Sequence, residues 1–506
     1  MAMTPTDVIA LVADDLLVRW ENERRKLDRI DRWARWEHDR PHQPRQATAE
    51  YNELSARSQA PWGDLIVTSV AQTLYVEGYR SPSDPDNSSA WRLWQVNGMD
   101  GRQVAIHRAA LTYGLAYGFA LPGRTMTGEA VPVIRGASPR QMIAVYDDPA
   151  NDDWPVYALR VSRRRRGRVI ELLDDTQLYE LHSDDYGAKP VFIGSRTHGA
   201  GVCPVVRFAN RFDLEGRSAG EIEPFIPVLG RIDQTAFDRL VVQRFASWIV
   251  RTVAGMALPE SAAAAGVTPE EKKLQLRVED ILIAKDPATK FGSLPATPLD
   301  GFIKAHESDI HVLAAVSQTP AHEMLGQMAN LSAEALAAAR ASLTSKSDER
   351  KVTFGEAHEQ LLRLGAHLAG DQAAAADFES QVRWKDTEIR SLAQAADALG
   401  KMAQMLGVPV ELLWEKVPGF TDQDVERAKA LLAQQPGGLD SLLRELAGGQ
   451  TSPTPADDTA DLKKRADAMG VLIRSGVEPV DAAQQAGLTG VRFTDLVPVT
   501  LRPPGG

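Results

Sequence analysis

Apolar residues recur at intervals of three and four over long stretches of this chain. Ile222, Phe225, Ile226, Leu229, Ile232, Ala236 and Leu240 keep that spacing, which predicts a helix over Glu221–Trp248. Pro224 and Pro227 suit its first turns, where a missing N–H is harmless. A second helix, "FIKAHESDIHVLAAVSQ", starts at Phe302. Between them, Val250 to Asp300 offers only short apolar pieces and turn residues, so a small β-containing lobe is predicted between two helices. "QTPAHEMLGQMANL" reads as a loop containing Pro320 and Gly326. From the capping residue Ser332, strong helix formers dominate about 39 residues, roughly 58 Å of helix if unbroken. A kink is expected at Gly355, after Val352, Thr353 and Phe354.

Between Val131 and Phe208 the period changes to two. Tyr157, Leu159 and Val161 share one face, and "RVIELL" and "QLYEL" repeat the pattern, which predicts an antiparallel meander. The arginines of "RVSRRRRGRVIELL" fall where Val161 gives way to Val169 with Gly167 between, the tip of a hairpin. A charged tip is ordinarily solvated; contact with a subunit or nucleic acid is the second reading. Asp147, Asp148, Asp152, Asp153, Asp174 and Asp175 lie near in sequence and are available to pair with the arginines. The first 45 or so residues read as charged helix around Trp20, Trp33 and Trp36. "APWGDLIVTSVAQTLYVEGYR" reads as a helix and a short strand, Leu74–Val76, with Gly78 as a turn. "DFESQVRWKD" reads as a single strand, and the remainder as helices with Gly- and Pro-rich joints. The fold class is α+β, mainly helical.

Composition narrows the function. At 506 residues, 43% hydrophobic and 25% charged, the chain can build several lobes around real cores. Lys and Arg total 57 against 68 Asp and Glu, a net charge of −11. That balance excludes a protein that grips duplex DNA along its length; any DNA contact is expected to be local or weak. The single cysteine, Cys203, excludes an intramolecular disulfide and suits a reducing cytoplasm. Asp7, Asp14 and Asp15 interrupt the apolar N-terminal stretch, which reads as a helix and not a signal peptide. No apolar run reaches the ~20 residues of a membrane span.

Catalytic patterns do not emerge. No phosphate-cradling glycine loop, dinucleotide fingerprint or nucleophile elbow occurs. His306-Glu307 and His311 have a spacing of five instead of four, so the imidazoles diverge on a helix and zinc is not expected. His322-Glu323 and His358-Glu359 lack a second histidine. Cys203 reads as a small buried apolar residue, and the Asp pairs read as turn formers. No catalytic residue, metal or cofactor is expected, and the chain reads as a non-enzyme.

Several strings occur in a characteristic order. They are "WGDLIVTSVAQTLYVEGYR", "WRLWQVNGMD" with "HRAALTYGLAY", "GVCPVVRFANR" before "GEIEPFIPVLGRID", and "SQTP" before "SAEAL". Over roughly Trp62–Gly438, this succession resembles the portal proteins of long-tailed double-stranded DNA bacteriophages, of the siphophage and actinobacteriophage type. Gln234-Thr235-Ala236 departs from the Asn-rich stretch common there, and the last sixty or so residues match no such string.

The resemblance implies an elongated subunit with wing, stem, clip and crown lobes, twelve copies of which form a ring around a central channel. Residues 1–219 correspond to the wing, 220–248 and 302–317 to the stem helices, and 249–301 to the clip. Residues 318–331 correspond to the tunnel loop, 332–400 to the long helix and returning wing strand, and 401–506 to the crown and a flexible tail. DNA would meet Gln318, Thr319, Pro320, His322, Met324, Gln327 and Asn330 of the tunnel loop, which lacks Lys and Arg. Glu221, Glu223, Asp233, Asp238, Glu307 and Asp309 would face the channel and repel phosphate. Arg163, Arg164, Arg165 and Arg166 would touch neighbouring subunits or capsid protein. The implied partners are further copies of the chain, passing double-stranded DNA, the terminase motor, major capsid and scaffold proteins and the head–tail connector, with no membrane. The implied place is a capsid vertex of the virion, after assembly in the bacterial cytoplasm. Two alternatives stay open at this level: another virion structural or connector protein, and a metal-dependent nuclease built on converging Asp pairs.

Overall fold

Apolar periodicity sorts the chain into elements largely where expected. The computed structural model describes residues 2–43, 49–80, 88–165, 167–184, 189–246, 251–254, 290–293, 298–326, 333–386 and 392–414, with 416–417, 420, 425, 427–430, 465–466, 469, 473 and 478–488. It divides into two compact units, Met1–Glu388 and Ile389–Gly506.

The first unit begins with α1 (Pro5–Ala10), a π turn (Leu11–Leu16) and α2 (Leu17–Ala34). Val8, Val12, Leu16 and Trp20 are buried at a strict interval of four. That interval overshoots a 3.6-residue turn, and the wider π turn takes up the drift. These side chains pack on a five-stranded antiparallel meander: β4 (Met142–Val145), β5 (Tyr157–Arg163), β6 (Arg168–Leu173), β7 (Gln177–Ser183) and β8 (Val191–Thr197), paired in sequence order. Alternation places Leu159, Val161, Ile170 and Leu172 under the helix. Ala158, Leu173 and Leu178 face a second sheet, in which β2 (Leu115–Leu121) lies between β3 (Val133–Ala137) and β9 (Val205–Ala209).

The other face of that sheet meets the main core, built on the long helix Ala333–Ala369 with α4 (Trp62–Ala71), α5 (Ser88–Val96) and α6 (Met99–Tyr113). Gly118 makes the approach possible, because a Cβ there would lie 2.7 Å from Leu361 Cδ2. The long helix continues through Gly355, the position of the expected kink. A Cβ at Gly355 would lie 3.3 Å from Val382 Cγ2, so this glycine admits a neighbouring strand. That strand, β12 (Gln381–Trp384), pairs antiparallel with β1 (Val76–Arg80). Gly78 therefore lies inside a strand and is not a turn; the register slips between Val76 and Gly78, a bulge that absorbs the irregularity. In the second unit, α12 (Leu392–Leu406) and α13 (Val410–Trp414) enclose an apolar cleft of about 240 Å³. The unit starts at Ile389, and α12 runs through residue 400, where the sequence suggested a boundary.

Two polar arrangements lie inside the first unit. His107 and His358 are fully buried, with Nε2 atoms 2.8 Å apart. His107 Nδ1 lies 3.2 Å from the Leu74 carbonyl and must donate to it. Its Nε2 then accepts from His358, whose Nδ1 is left without a partner. A proton added there would be buried with no acceptor to receive it. Burial brings the His107 pKa down to about 4 and pushes that of His358 well below its ordinary value, with His107 adding to the effect.

The second arrangement is ionic. Glu221 meets Lys346 Nζ at 2.6 Å and Arg350 at 3.3 Å, and accepts from Asn210 Nδ2 at 3.0 Å. Lys346 also donates to the Ser317 carbonyl at 2.9 Å. All three charged side chains are essentially sealed from solvent. Burial alone would raise the Glu221 pKa, but Lys346, Asn210 and Arg350 hold it below its ordinary value.

Groups whose folded pKa is depressed give stability that is present above the unfolded pKa and lost as pH falls. Unfolding free energy should drop by on the order of 1–3 kcal/mol from the histidine pair between pH 6.5 and about 4. The upper part of that slope should flatten in His107→Gln/His358→Leu, as read by urea titration at stepped pH. Lys346→Met should cost about 3–5 kcal/mol by stranding a buried carboxylate, and adding Glu221→Gln should recover most of it in the same assay.

Candidate functional site: the paired helices and the arginine hairpin

Ile222 to Leu240 form the helix their spacing requires. A 3₁₀ turn (Glu223–Phe225) leads into α7 (Ile226–Ala246), and α8 (Asp300–Ser317) returns against it. Beyond α7, β10 (Arg251–Ala254) pairs antiparallel with β11 (Lys290–Ser293), so a two-stranded ribbon closes the base of the insert. The remainder of the predicted lobe lies outside the described residues. Leu229 and Ile232 pack with Ile310, Leu313 and Ala314 in the main core. Across the pair, Arg231 Nε meets Asp309 Oδ1 at 2.8 Å, and Thr235 donates to Asp309 Oδ2 at 3.1 Å. The other flank of α7 is covered by α3 (Ala49–Ser58), with Tyr51 against Phe237.

The six stem acids have separate fates. Glu221 is held by Lys346 and Arg350 in the interior. Asp233 is 2% exposed and lies 2.7 Å from His38 Nε2, while Trp33 stacks on the imidazole. Neither acid can line a channel, because each is enclosed by its own subunit. Glu223 is half-buried against Lys26 at 3.1 Å, and Asp309 is the tie between the helices. Asp238 and Glu307 alone of the six are exposed.

The segment after α8 is not the open loop that Pro320 and Gly326 suggested. Gln318 ends α8 in the left-handed region at φ 56° and is exposed. Thr319 and Pro320 are buried, with Thr319 accepting from Ser317 Oγ at 3.0 Å. A short helix, α9 (Ala321–Leu325), follows; it places Met324 in the main core and leaves His322 half-buried. Glu323 pins it to Arg340 of the long helix, hereafter α10 (Ala333–Ala369), at 2.7 Å. Thr319, Pro320 and Met324 are therefore withdrawn from solvent, and Gln327 and Asn330 lie outside the described residues.

The arginine-rich stretch is the hairpin between β5 and β6. Arg163, Arg164 and Arg165 are exposed at its tip, and Arg166 lies outside the described residues. Gly167, at φ 77°, closes the turn where a Cβ would lie 2.1 Å from the Ser183 carbonyl oxygen. The nearby acids serve their own turns. Asp148 accepts from Ala150 N–H and Asn151, and Asp174 from Thr176 and Gln177 N–H and from Tyr179. Sequence reasoning missed the cleft beside this hairpin, about 560 Å³ in volume and lined by arginines of α2, α6 and the loop before β4.

The family described as phage portal protein, SPP1 Gp6-like, matches residues 16–436. The portal protein of Mycobacterium phage D29 is 26% identical over 413 residues, spanning 78% of this chain and 82% of that protein. The portal protein of Mycobacterium phage L5 is 26% identical over 361 residues, spanning 67% and 71%. Among solved structures, a chain from the virion of a native gene transfer agent particle aligns with a TM-score of 0.43 at 12% identity, over 78% of this chain and 97% of that one. With the family match spanning most of its length, the chain belongs to the phage portal proteins of the SPP1 Gp6-like family.

Proposed function

We propose that twelve copies close into a ring at one vertex of a phage capsid, through whose channel DNA is packaged and later ejected. The observation that carries this reading is the family match over residues 16–436. The ring would dock the terminase motor during packaging and the head–tail connector afterwards, with capsid and scaffold proteins around it. In this reading residues 1–219 form the wing, α7 and α8 the stem and the insert 249–301 the clip. Residues 318–331 form the tunnel segment, and a crown starts at Ile389, the edge of the second compact unit.

Physical features support it. A two-stranded ribbon carried on two helices is the kind of projection that cyclic assembly would cover. Val312 and Val316, one turn apart on α8, stay exposed on a single subunit, suited to burial between copies. A conduit must release DNA, and the net charge of −11 keeps phosphate contacts brief. Asp238 and Glu307 remain as channel-wall acids, Gln318 and His322 as groups that could touch DNA, and Arg163–Arg165 as a contact with a neighbour or the capsid.

Light scattering on a sizing column should give roughly 660 kDa, twelve times the subunit mass of 55.2 kDa; a compact dimer would count against the ring. Asp238→Lys/Glu307→Lys rings should hold duplex DNA about tenfold or more tighter at low salt, with the gain vanishing as salt rises. Fluorescence anisotropy of a labelled duplex measures this.

A further inference from the structure

We propose that the acidic loop joining β4 to β5 in one subunit seats in the arginine-lined cleft of the next; this rests on the ring reading above. The cleft lies between α2, α6 and the ends of β5 and β6, and Arg24, Arg35, Arg108, Arg140, Arg163 and Arg168 line it. Against these six guanidinium groups stand Asp31 and Asp64 in the lining, with Asp28 and Glu21 at the rim. Arg140 bridges Asp28 and Asp31 at 2.8 Å each, while Arg35 and Arg108 reach solvent, 61% and 41% exposed. The exposed tip arginines Arg164 and Arg165 add to the positive excess. The lining itself thus holds six arginines and two carboxylates.

The complementary charge is on the same molecule. The loop "YDDPANDDW" carries Asp147, Asp148, Asp152 and Asp153. It is built to hold its shape: Asp148 N–H donates to Asp152 at 2.7 Å, and Gln360 of α10 donates to the Asp153 carbonyl at 2.9 Å. Pro149 lies against Gly216, where a Cβ would come within 2.4 Å of it. Asp147 and Asp153 are exposed. A pre-formed loop loses little entropy on docking.

Register keeps loop and cleft apart within one subunit. Val145 pairs with Tyr157 at the loop end of the β4–β5 ladder, while Arg163 pairs with Arg168 at the cleft end of β5–β6. Six strand steps at about 3.3 Å put the two ends roughly 20 Å apart. Unlike charges at opposite poles of one rigid sheet cannot satisfy each other internally. They make a head-to-tail contact, the heterologous kind that closes rings. The carboxylates in the cleft favour this occupant over a nucleic-acid backbone, whose dense charge they oppose.

The test uses full-length protein and light scattering at fixed concentration and about 0.1 M salt. A loop variant, Asp147→Lys/Asp153→Lys, and a cleft variant, Arg35→Glu/Arg108→Glu, should each need at least tenfold more protein to form rings than the wild type. An equimolar mixture should regain wild-type assembly, because every interface then joins unlike charges. The loop substitutions are at exposed positions, so unchanged thermal melting of that variant shows that folding is intact. A loop variant that assembles normally, or a mixture that fails to recover, overturns the contact while leaving the ring reading standing. A cleft variant that assembles normally but loses affinity for a 30-base-pair duplex also overturns it and makes the cleft a phosphate site. A wild type that never forms rings overturns the ring reading, and the contact with it.

Discussion

The buried association of Glu221, Lys346 and Arg350 is the constraint on which the first unit depends. Its ligands come from four places: Asn210 at the end of the three-stranded sheet, Glu221 at the entry to α7, Ser317 at the end of α8, and the middle of α10. Taking three charges out of water is costly, and the cost is offset only where the partners are held at the right distances. Apolar packing tolerates small slides between helices, whereas a 2.6 Å ion pair does not. The triad therefore fixes the angle at which the paired helices leave the body, and the apolar contacts of Ile232, Leu313 and Phe354 supply the bulk of the cohesion around it.

Much of this was legible from periodicity. The paired helices, α10, the meander and its arginine tip lie where the spacing of apolar residues put them, because those signals are local. What was not legible depends on distance in sequence. The strand at Val76–Arg80 exists because Gln381–Trp384 comes to it from about three hundred residues away, and no local rule announces that Gly78 will be extended. Gly355 likewise has a distant neighbour that no local rule announces: its missing side chain leaves room for Val382. The stem acids were read as a class, yet Glu221 and Asp233 are interior because Lys346 and His38 meet them there. A signal for the triad was present. Arg350 falls in phase with Leu343, Phe354 and Leu361 on the buried side of α10, with Lys346 beside it, an odd place for a cation unless a carboxylate waits.

Charge is segregated at several scales. The chain as a whole is acidic, the hairpin tip and its cleft are basic, and the interior holds neutral imidazoles beside paired ions. Net charge thus says little about any one surface. In the His107–His358 pair, the Leu74 carbonyl sets the hydrogen-bond directions, and burial keeps both rings neutral near pH 7. His358 packs between Trp94 and Phe208, and His107 stacks on Phe354.

The ribbon of β10 and β11 has an evolutionary consequence. It joins the two ends of the insert, so the entropy of closing that segment is met at its base. Beyond such a clamp, doubling the enclosed length costs only about 0.6 kcal/mol. The insert can thus be shortened, lengthened or exchanged between lineages without disturbing the rest of the fold. Changes of length there would cost the body of the fold little.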